Sequence, residues 1–210
     1  MQVDWYFDVI SPFAYLQAEQ LTSWLPAEKI IVRPVVLGAL LSHWQTRGPA
    51  EIPRKRVQTY RGALARADAL GIPFRFPSAH PFDPLPLLRL SIAAGSGFHV
   101  AREVLRFVWR EGREIGGPAV LEELGHRLDV SNPLEAIGRP EVKAALREST
   151  EASIRHGVFG VPALQLAGEL FWGEDSTAMA RRTWEHGPGW LREGEWGRAA
   201  ALPIGVQRKV

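Results

Sequence analysis

The sequence predicts an α/β fold in which a small sheet is interrupted by an all-helical insertion, and three observations predict it. The chain opens on strand, helix and strand. Roughly a hundred residues of helical periodicity without a convincing strand follow. Strands then return as a tight hairpin ahead of a last helix. At 210 residues the chain has room for one domain with a sizeable insertion. Neither group of strands closes a sheet alone, so the division expected is one interrupted unit. Residues 1–37 and 147–186 form the part that contains the sheet, 38–146 the helical insertion and 187–210 a C-terminal tail.

Each element has its own warrant. Residues 3–7 are mostly aromatic or β-branched and read as a buried strand. Residues 11–25 read as a helix: Pro12 suits its first turn, Phe13, Leu16, Leu21, Trp24 and Leu25 give an apolar face, and Pro26 closes it. Residues 30–36 are a second strand, with Pro34 marking an edge or irregular spot. The intervening helix implies parallel pairing with a right-handed crossover. In the insertion, residues 48–53 lead into a helix that ends at Gly71, on which Val57, Tyr60, Leu64 and Ala67 recur at spacings of three and four. Pro73, Pro77, Pro81, Pro84 and Pro86 then exclude regular structure until Leu85. Helices follow at 85–94 and 98–109, shorter ones at 118–128 and 133–137, and a longer one from Pro140 to His156, stopped by Gly157. Residues 163–166 and 169–172, joined by Ala167-Gly168, have the spacing of an antiparallel hairpin. Asp175 or Ser176 can cap a last helix reaching Glu185, and Trp190 and Trp196 point to a tail packed back on the body. This order is the thioredoxin arrangement with a helical domain inserted after the second strand.

Composition narrows the function classes. Hydrophobic residues at 46% and charged residues at 23% are ordinary for a soluble globular protein. No run approaches the roughly 20 apolar residues of a membrane span, and the N-terminus enters a strand without an export signal, so a cytoplasmic protein is expected. The net charge of +2 comes from interleaved acids and bases, which reads as a solvated surface and not a nucleic-acid footprint. Arg208 and Lys209 make too short a basic tail to alter that. There is no cysteine, which excludes disulfides, a CxxC redox centre, a cysteine nucleophile and thiolate metal sites. The six histidines are scattered without ligand spacing, so no metal is expected. Any thiol chemistry must use a borrowed thiol.

Three stretches could carry chemistry. Ser11 stands where the first strand gives way to a helix, so its side chain faces the free N–H groups and the positive end of the helix dipole, a place that favours a thiolate or another anion. An N-cap serine would look the same. Val161-Pro162 lies immediately before a hairpin strand, where in this topology the proline follows a cis peptide and leaves the Val161 backbone open to an extended peptide. An ordinary loop proline is the alternative. Residues 171–176 form a strand-to-helix turn in which the helix N-terminus could hold a carboxylate and Asp175 an ammonium, or Asp175 could simply be a cap.

Taken together, Asp8-Val9-Ile10-Ser11-Pro12-Phe13-Ala14-Tyr15-Leu16, Val161-Pro162 and the Trp172–Ser176 turn resemble the 2-hydroxychromene-2-carboxylate isomerase family, which is similar to kappa-class glutathione transferases and to bacterial disulfide oxidants of the same fold. The loops at 48–53 and 76–82 fit the same pattern, and the resemblance runs from Val3 to Trp184. It implies glutathione as cofactor, with Ser11 meeting its sulfur, Val161 and Pro162 its backbone, and Trp172, Gly173, Glu174 and Asp175 its γ-glutamyl end. It also implies a small aromatic carboxylate as substrate, with Lys55 placed for the carboxylate and His80 for the hydroxyl. Read without the resemblance, these two are a solvated lysine and a loop histidine. A homodimer is consistent with it. One departure is Ser176, where the family often has arginine, which leaves one cation fewer at that turn. Three functions follow as candidates: the isomerase, a glutathione transferase acting on another electrophile, and a non-catalytic peptide-binding module. A cation placed for a carboxylate in the insertion separates the first two.

Overall fold

The computed structural model describes residues 1–206; the Arg208 and Lys209 pair lies outside the described residues. Four strands form one sheet in the order β2-β1-β3-β4: β1 (Val3–Phe7), β2 (Ile30–Pro34), β3 (Ala163–Leu166) and β4 (Glu169–Trp172). β1 runs parallel to β2, with Trp5 opposite Val32, and antiparallel to β3, with Trp5 opposite Leu164. The β3–β4 hairpin turns through Ala167 and Gly168, both at positive φ. That is the backbone a two-residue hairpin loop requires.

Alternation along β1 explains its central place. Val3, Trp5 and Phe7 are fully buried on one face against the helices, while Tyr6 packs on the other with Val35, Leu40, Val158 and Ala163. The helix α1 (Pro12–Leu21) ends four residues earlier than its apolar pattern suggested. The chain leaves helical geometry through tighter bonds, Ser23 N–H to the Gln20 carbonyl and Trp24 N–H to the Leu21 carbonyl, ahead of Pro26. Leu25 is nevertheless buried.

The insertion contributes α2 (Leu37–His43), α3 (Pro53–Leu70), α4 (Leu85–Ala93), α5 (Phe98–Trp109), α6 (Pro118–Arg127), α7 (Pro133–Ala136) and the start of α8 (Pro140–Arg155). Gly71 ends α3 in the left-handed conformation its sequence predicts. The helix α2 was not separable in the sequence. The core is continuous between sheet and insertion: Trp5 stacks on Phe7 at 4.8 Å and meets Phe98 of α5 at 5.5 Å. Likewise α8 runs unbroken across residue 147, and its Thr150 hydroxyl accepts the Val36 N–H. A short 3-10 turn (Glu174–Ser176) precedes α9 (Thr177–His186). The tail does fold back: Trp190 is buried, its indole N–H reaches the Thr183 hydroxyl, and it meets Trp196 of α10 (Gly194–Ala200) edge-on.

Candidate active site

The turn between β1 and α1 is held at almost every polar atom. Asp8 is fully buried, and its carboxylate accepts the Ile10 N–H (3.0 Å) and the Leu37 N–H (2.8 Å). The Ser11 N–H donates to the Asp8 carbonyl (3.1 Å). The Val9 carbonyl accepts the buried indole N–H of Trp109, from α5, at 2.9 Å. The Ile10 carbonyl accepts Nε2–H of His80 at 2.8 Å. Two of these contacts come from the insertion, so it fixes the backbone that presents Ser11. Burial pushes the Asp8 carboxyl up to about 7, against the pull of the Leu37, Ile10 and Val9 N–H groups, with nearby Asp83 raising it further.

His80 is committed within the protein. A carbonyl partner at Nε2 requires the proton there, which leaves Nδ1 to accept from the Tyr60 hydroxyl of α3 at 2.7 Å. Burial lowers the His80 pKa, the Ile10 carbonyl opposes this, and the Arg56 charge lowers it further. The neutral imidazole therefore works as a bridge from α3 to the Ser11 turn. Its ring is packed among aromatic groups, with Trp109 at 5.4 Å and Phe82 at 5.9 Å. This corrects the expectation that His80 meets a substrate hydroxyl: both ring nitrogens are already used. Its peptide to Pro81 is cis, which the sequence reading did not foresee.

Ser11 itself is a buried N-cap with extended backbone angles. Its Oγ accepts the Ala14 N–H at 3.3 Å, a long contact, and its hydroxyl proton has no acceptor among the described residues. Capping and availability therefore coexist: the oxygen faces the first turn of α1 and keeps a proton to donate.

The Val161-Pro162 peptide is cis. Neither the Val161 N–H nor its C=O is hydrogen-bonded among the described residues, while the Pro162 carbonyl accepts the Gly173 N–H at 2.8 Å. Beside this open backbone, Phe159 and Trp172 pack at 5.1 Å and are 43% and 54% exposed. Gly160 allows that approach, since a Cβ there would run into the Trp172 indole.

At the following turn, Gly173 has a φ of 90° and the Asp175 carboxylate lies over its Cα. Asp175 is exposed. Glu174 is not: its carboxylate is taken up by Arg66 of α3 (Nε to Oε2 2.8 Å, Nη2 to Oε1 2.9 Å) and by Gln20 of α1 (2.6 Å). Its side chain is thus a strut between insertion and turn and not a free ligand, contrary to the expectation placed on it. Arg66 is a cation at this turn, with its Nε and Nη2 committed to Glu174, while Ser176 leaves the turn one cation fewer than the family often has. The buried Gln17 completes the support. Its amide N–H groups donate to the Gly173 carbonyl (3.1 Å) and the Thr177 hydroxyl (3.0 Å), and its carbonyl accepts from Trp5 (2.9 Å).

Lys55 is exposed near the start of α3, and its ammonium makes no ion pair among the described residues. A cavity of about 730 Å³ opens elsewhere, between α4, α5 and the α6–α7 loop. Of its arginines, Arg106 is paired with Glu19 and Arg127 with Glu111 and Glu123, and none of the Ser11-turn residues lines it. No group of acidic or histidine side chains among the described residues could hold a metal.

Asp8, Gln17, Tyr60, Arg66 and Trp109 were not singled out from the sequence as site residues. The one usable signal was a polar residue on an otherwise apolar stretch, as at Asp8 and Gln17.

The fold and this turn define a class. The chain belongs to the DSBA-like thioredoxin domain family, which matches residues 2–183. Within it, the chain is 30% identical to glutathione S-transferase kappa 2 of Caenorhabditis elegans, covering 78% of this chain and 80% of that protein. It is 29% identical to 2-hydroxychromene-2-carboxylate isomerase of Pseudomonas putida, covering 85% and 92% respectively. A solved 2-hydroxychromene-2-carboxylate isomerase superposes with a TM-score of 0.79 at 22% identity, over 97% of this chain and all of the other.

Proposed function

We propose that this protein is a glutathione-dependent isomerase that interconverts 2-hydroxychromene-2-carboxylate and trans-o-hydroxybenzylidenepyruvate in the catabolism of aromatic rings. The observation that carries the reading is the pairing of a donor-competent Ser11 hydroxyl at the start of α1 with an unpaired Val161 backbone. The names of the two relatives, a glutathione transferase and this isomerase, support it.

Bound glutathione supplies a thiolate, whose reversible addition to the enone would replace a double bond by a single bond free to rotate before elimination. The chain's own residues supply the rest. Ser11 donates its free proton to the sulfur while the N-terminus of α1 favours the anion, so the thiol ionises nearer neutral pH. Val161 offers N–H and C=O to an extended backbone. Asp175 takes the ammonium, and the N-terminus of the turn leading into α9, with Arg66 at hand, takes the carboxylate. Trp172 and Phe159 wall the same edge. Oxygen at position 11 cannot form a mixed disulfide, which suits isomerisation better than thiol–disulfide exchange. The thioredoxin-like unit of residues 1–37 and 147–186 would thus carry the thiol site, and residues 38–146 would roof it.

The test is a paired measurement. Millimolar glutathione should raise the melting temperature by mass action, and hydroxychromene carboxylate should isomerise only in its presence. Glutathione-dependent conjugation of a chloronitrobenzene without isomerisation would favour the transferase reading. Absence of both a thermal shift and turnover would defeat the proposal.

A further inference from the structure

Gln17, on α1, is a fully buried amide with its carbonyl and both amide protons used. Its Oε1 accepts the Trp5 indole N–H at 2.9 Å, and its Nε2 donates to the Gly173 carbonyl at 3.1 Å and to the Thr177 hydroxyl at 3.0 Å. An indole nitrogen only donates, so the amide has a single orientation. The Thr177 proton goes to the Glu174 carbonyl, which leaves the hydroxyl oxygen free to accept. Gly173 is also gripped from its other side, where its N–H donates to the Pro162 carbonyl at 2.8 Å. A continuous series of hydrogen bonds therefore runs from the central strand to the cis-proline loop, through Trp5, Gln17, Gly173 and Pro162. Val161 precedes Pro162, and Asp175 stands two residues beyond Gly173, so both groups assigned to the peptide portion of the cofactor depend on this series. The Ser11 turn is held independently, by Asp8, Trp109 and His80.

We propose that Gln17 is a positioning residue for the cofactor: it sets the Gly173 turn against the cis-proline loop, and so governs how tightly the γ-glutamyl portion is held without affecting the sulfur. The ligand in this proposal rests on the glutathione reading, whereas the linkage rests on the hydrogen bonds alone. Gln17 touches no ligand itself. Burying an amide costs free energy unless its polar atoms are bonded, and methionine would fill a similar volume without that cost. What the amide adds is direction, because it fixes the Gly173 carbonyl against α1. Arg66 and Gln20 cannot substitute for it, since they grip the Glu174 side chain and leave the backbone of the turn free to tilt. The Ser176 hydroxyl does reach the Gly173 carbonyl at 2.8 Å, but from within the same turn, so it moves with the turn and does not tie it to α1.

The experiment is calorimetric binding of glutathione, and of cysteinylglycine, which lacks the γ-glutamyl residue, to the full chain. The proteins are wild type, Gln17→Met, Thr177→Val, which removes one of the partners of the Gln17 amide, and Ser153→Ala. The last removes a buried hydroxyl bonded to the Thr150 carbonyl on α8 and serves as a stability control. Glutathione should bind Gln17→Met about tenfold more weakly, the equivalent of one hydrogen bond, and Thr177→Val should lose less. Cysteinylglycine should bind all four proteins alike, and the bound thiol should titrate as in wild type. Exchange of the Gly173 amide proton should quicken in Gln17→Met beyond what its lowered stability explains, with Ser153→Ala as the reference. If Gln17→Met does not fold, Thr177→Val must show the same selectivity for the proposal to stand. Equal losses for the two thiols, a shifted thiol pKa, or Gly173 exchange that follows global stability would overturn the assignment. The two proposals fail separately. A wild-type protein that binds neither thiol removes the glutathione reading and the ligand with it, and Gly173 exchange still decides the linkage. Glutathione binding that is indifferent to Gln17 keeps the cofactor and removes the positioning role.

Discussion

Removing the His80 imidazole should separate the architecture of the site from its chemistry. His80→Ala takes away the donor that holds the Ile10 carbonyl at 2.8 Å and one acceptor of the Tyr60 hydroxyl, at 2.7 Å, leaving that hydroxyl the backbone carbonyl of residue 80 at 3.0 Å. A partly buried carbonyl left without its donor costs about 1–3 kcal/mol, and the space opened beside Phe82 and Trp109 adds a packing loss. The turn would not collapse, because Asp8 still holds the Ile10 N–H and Trp109 still holds the Val9 carbonyl. Turnover should therefore fall about tenfold, equivalent to about 1.4 kcal/mol, together with a rise in the bound thiol pKa as Ser11 drifts from the sulfur. His80→Gln keeps an N–H for the Ile10 carbonyl and should recover most of the rate, while Tyr60→Phe should sit between. The assay is steady-state turnover against pH, with ultraviolet titration of the bound thiolate and denaturant unfolding on the same samples. A His80→Ala protein that loses stability yet keeps both the thiol pKa and the turnover would refute the positioning argument and leave His80 as a packing residue.

Other consequences follow from the supports around that turn. Arg66→Ala should destabilise the fold by about 1–3 kcal/mol in denaturant unfolding, less than the 3–5 kcal/mol of a fully buried pair because Arg66 is half exposed; an unchanged midpoint would show Glu174 satisfied by Gln20 alone. Asp8 has a folded-state pKa of about 7 against 3.8 ordinarily, so its contribution is fully present below about pH 4 and is lost as pH rises through 7. Asp8→Asn cannot ionise, so the gap between wild type and variant in unfolding free energy should narrow from pH 5 to pH 8; a constant gap would contradict it.

Much of the fold was legible because it rests on local rules. Period-two burial at Val3, Trp5 and Phe7, the Ala167-Gly168 turn and Gly71 as a left-handed helix stop each act over a few residues. The extent of α1 was overread because Trp24 and Leu25 pack on the core without being helical, and an apolar pattern cannot distinguish the two. The helix α2 was missed because one buried side chain, Leu40, gives no periodicity to detect. At the site, the positions of Ser11, Val161-Pro162 and Asp175 were readable from strand-to-helix and loop-to-strand junctions. The supports were not. His80 meets Ile10 across 70 residues and Arg66 meets Glu174 across 108, and such pairings exist only once the chain has folded.

The most direct measurement is the ultraviolet titration of glutathione bound to wild type and to Ser11→Ala. The free hydroxyl proton of Ser11 and the N-terminus of α1 predict a thiolate that forms at lower pH in wild type. Losing one hydrogen bond to a charged group is worth about 1.5–3 kcal/mol, so the variant's thiol pKa should rise and its turnover near neutral pH should fall roughly tenfold to a hundredfold, without vanishing, since the helix end remains. Superimposable titrations and equal turnover, with about 1 kcal/mol of stability lost, would contradict the account and leave Ser11 as a helix cap.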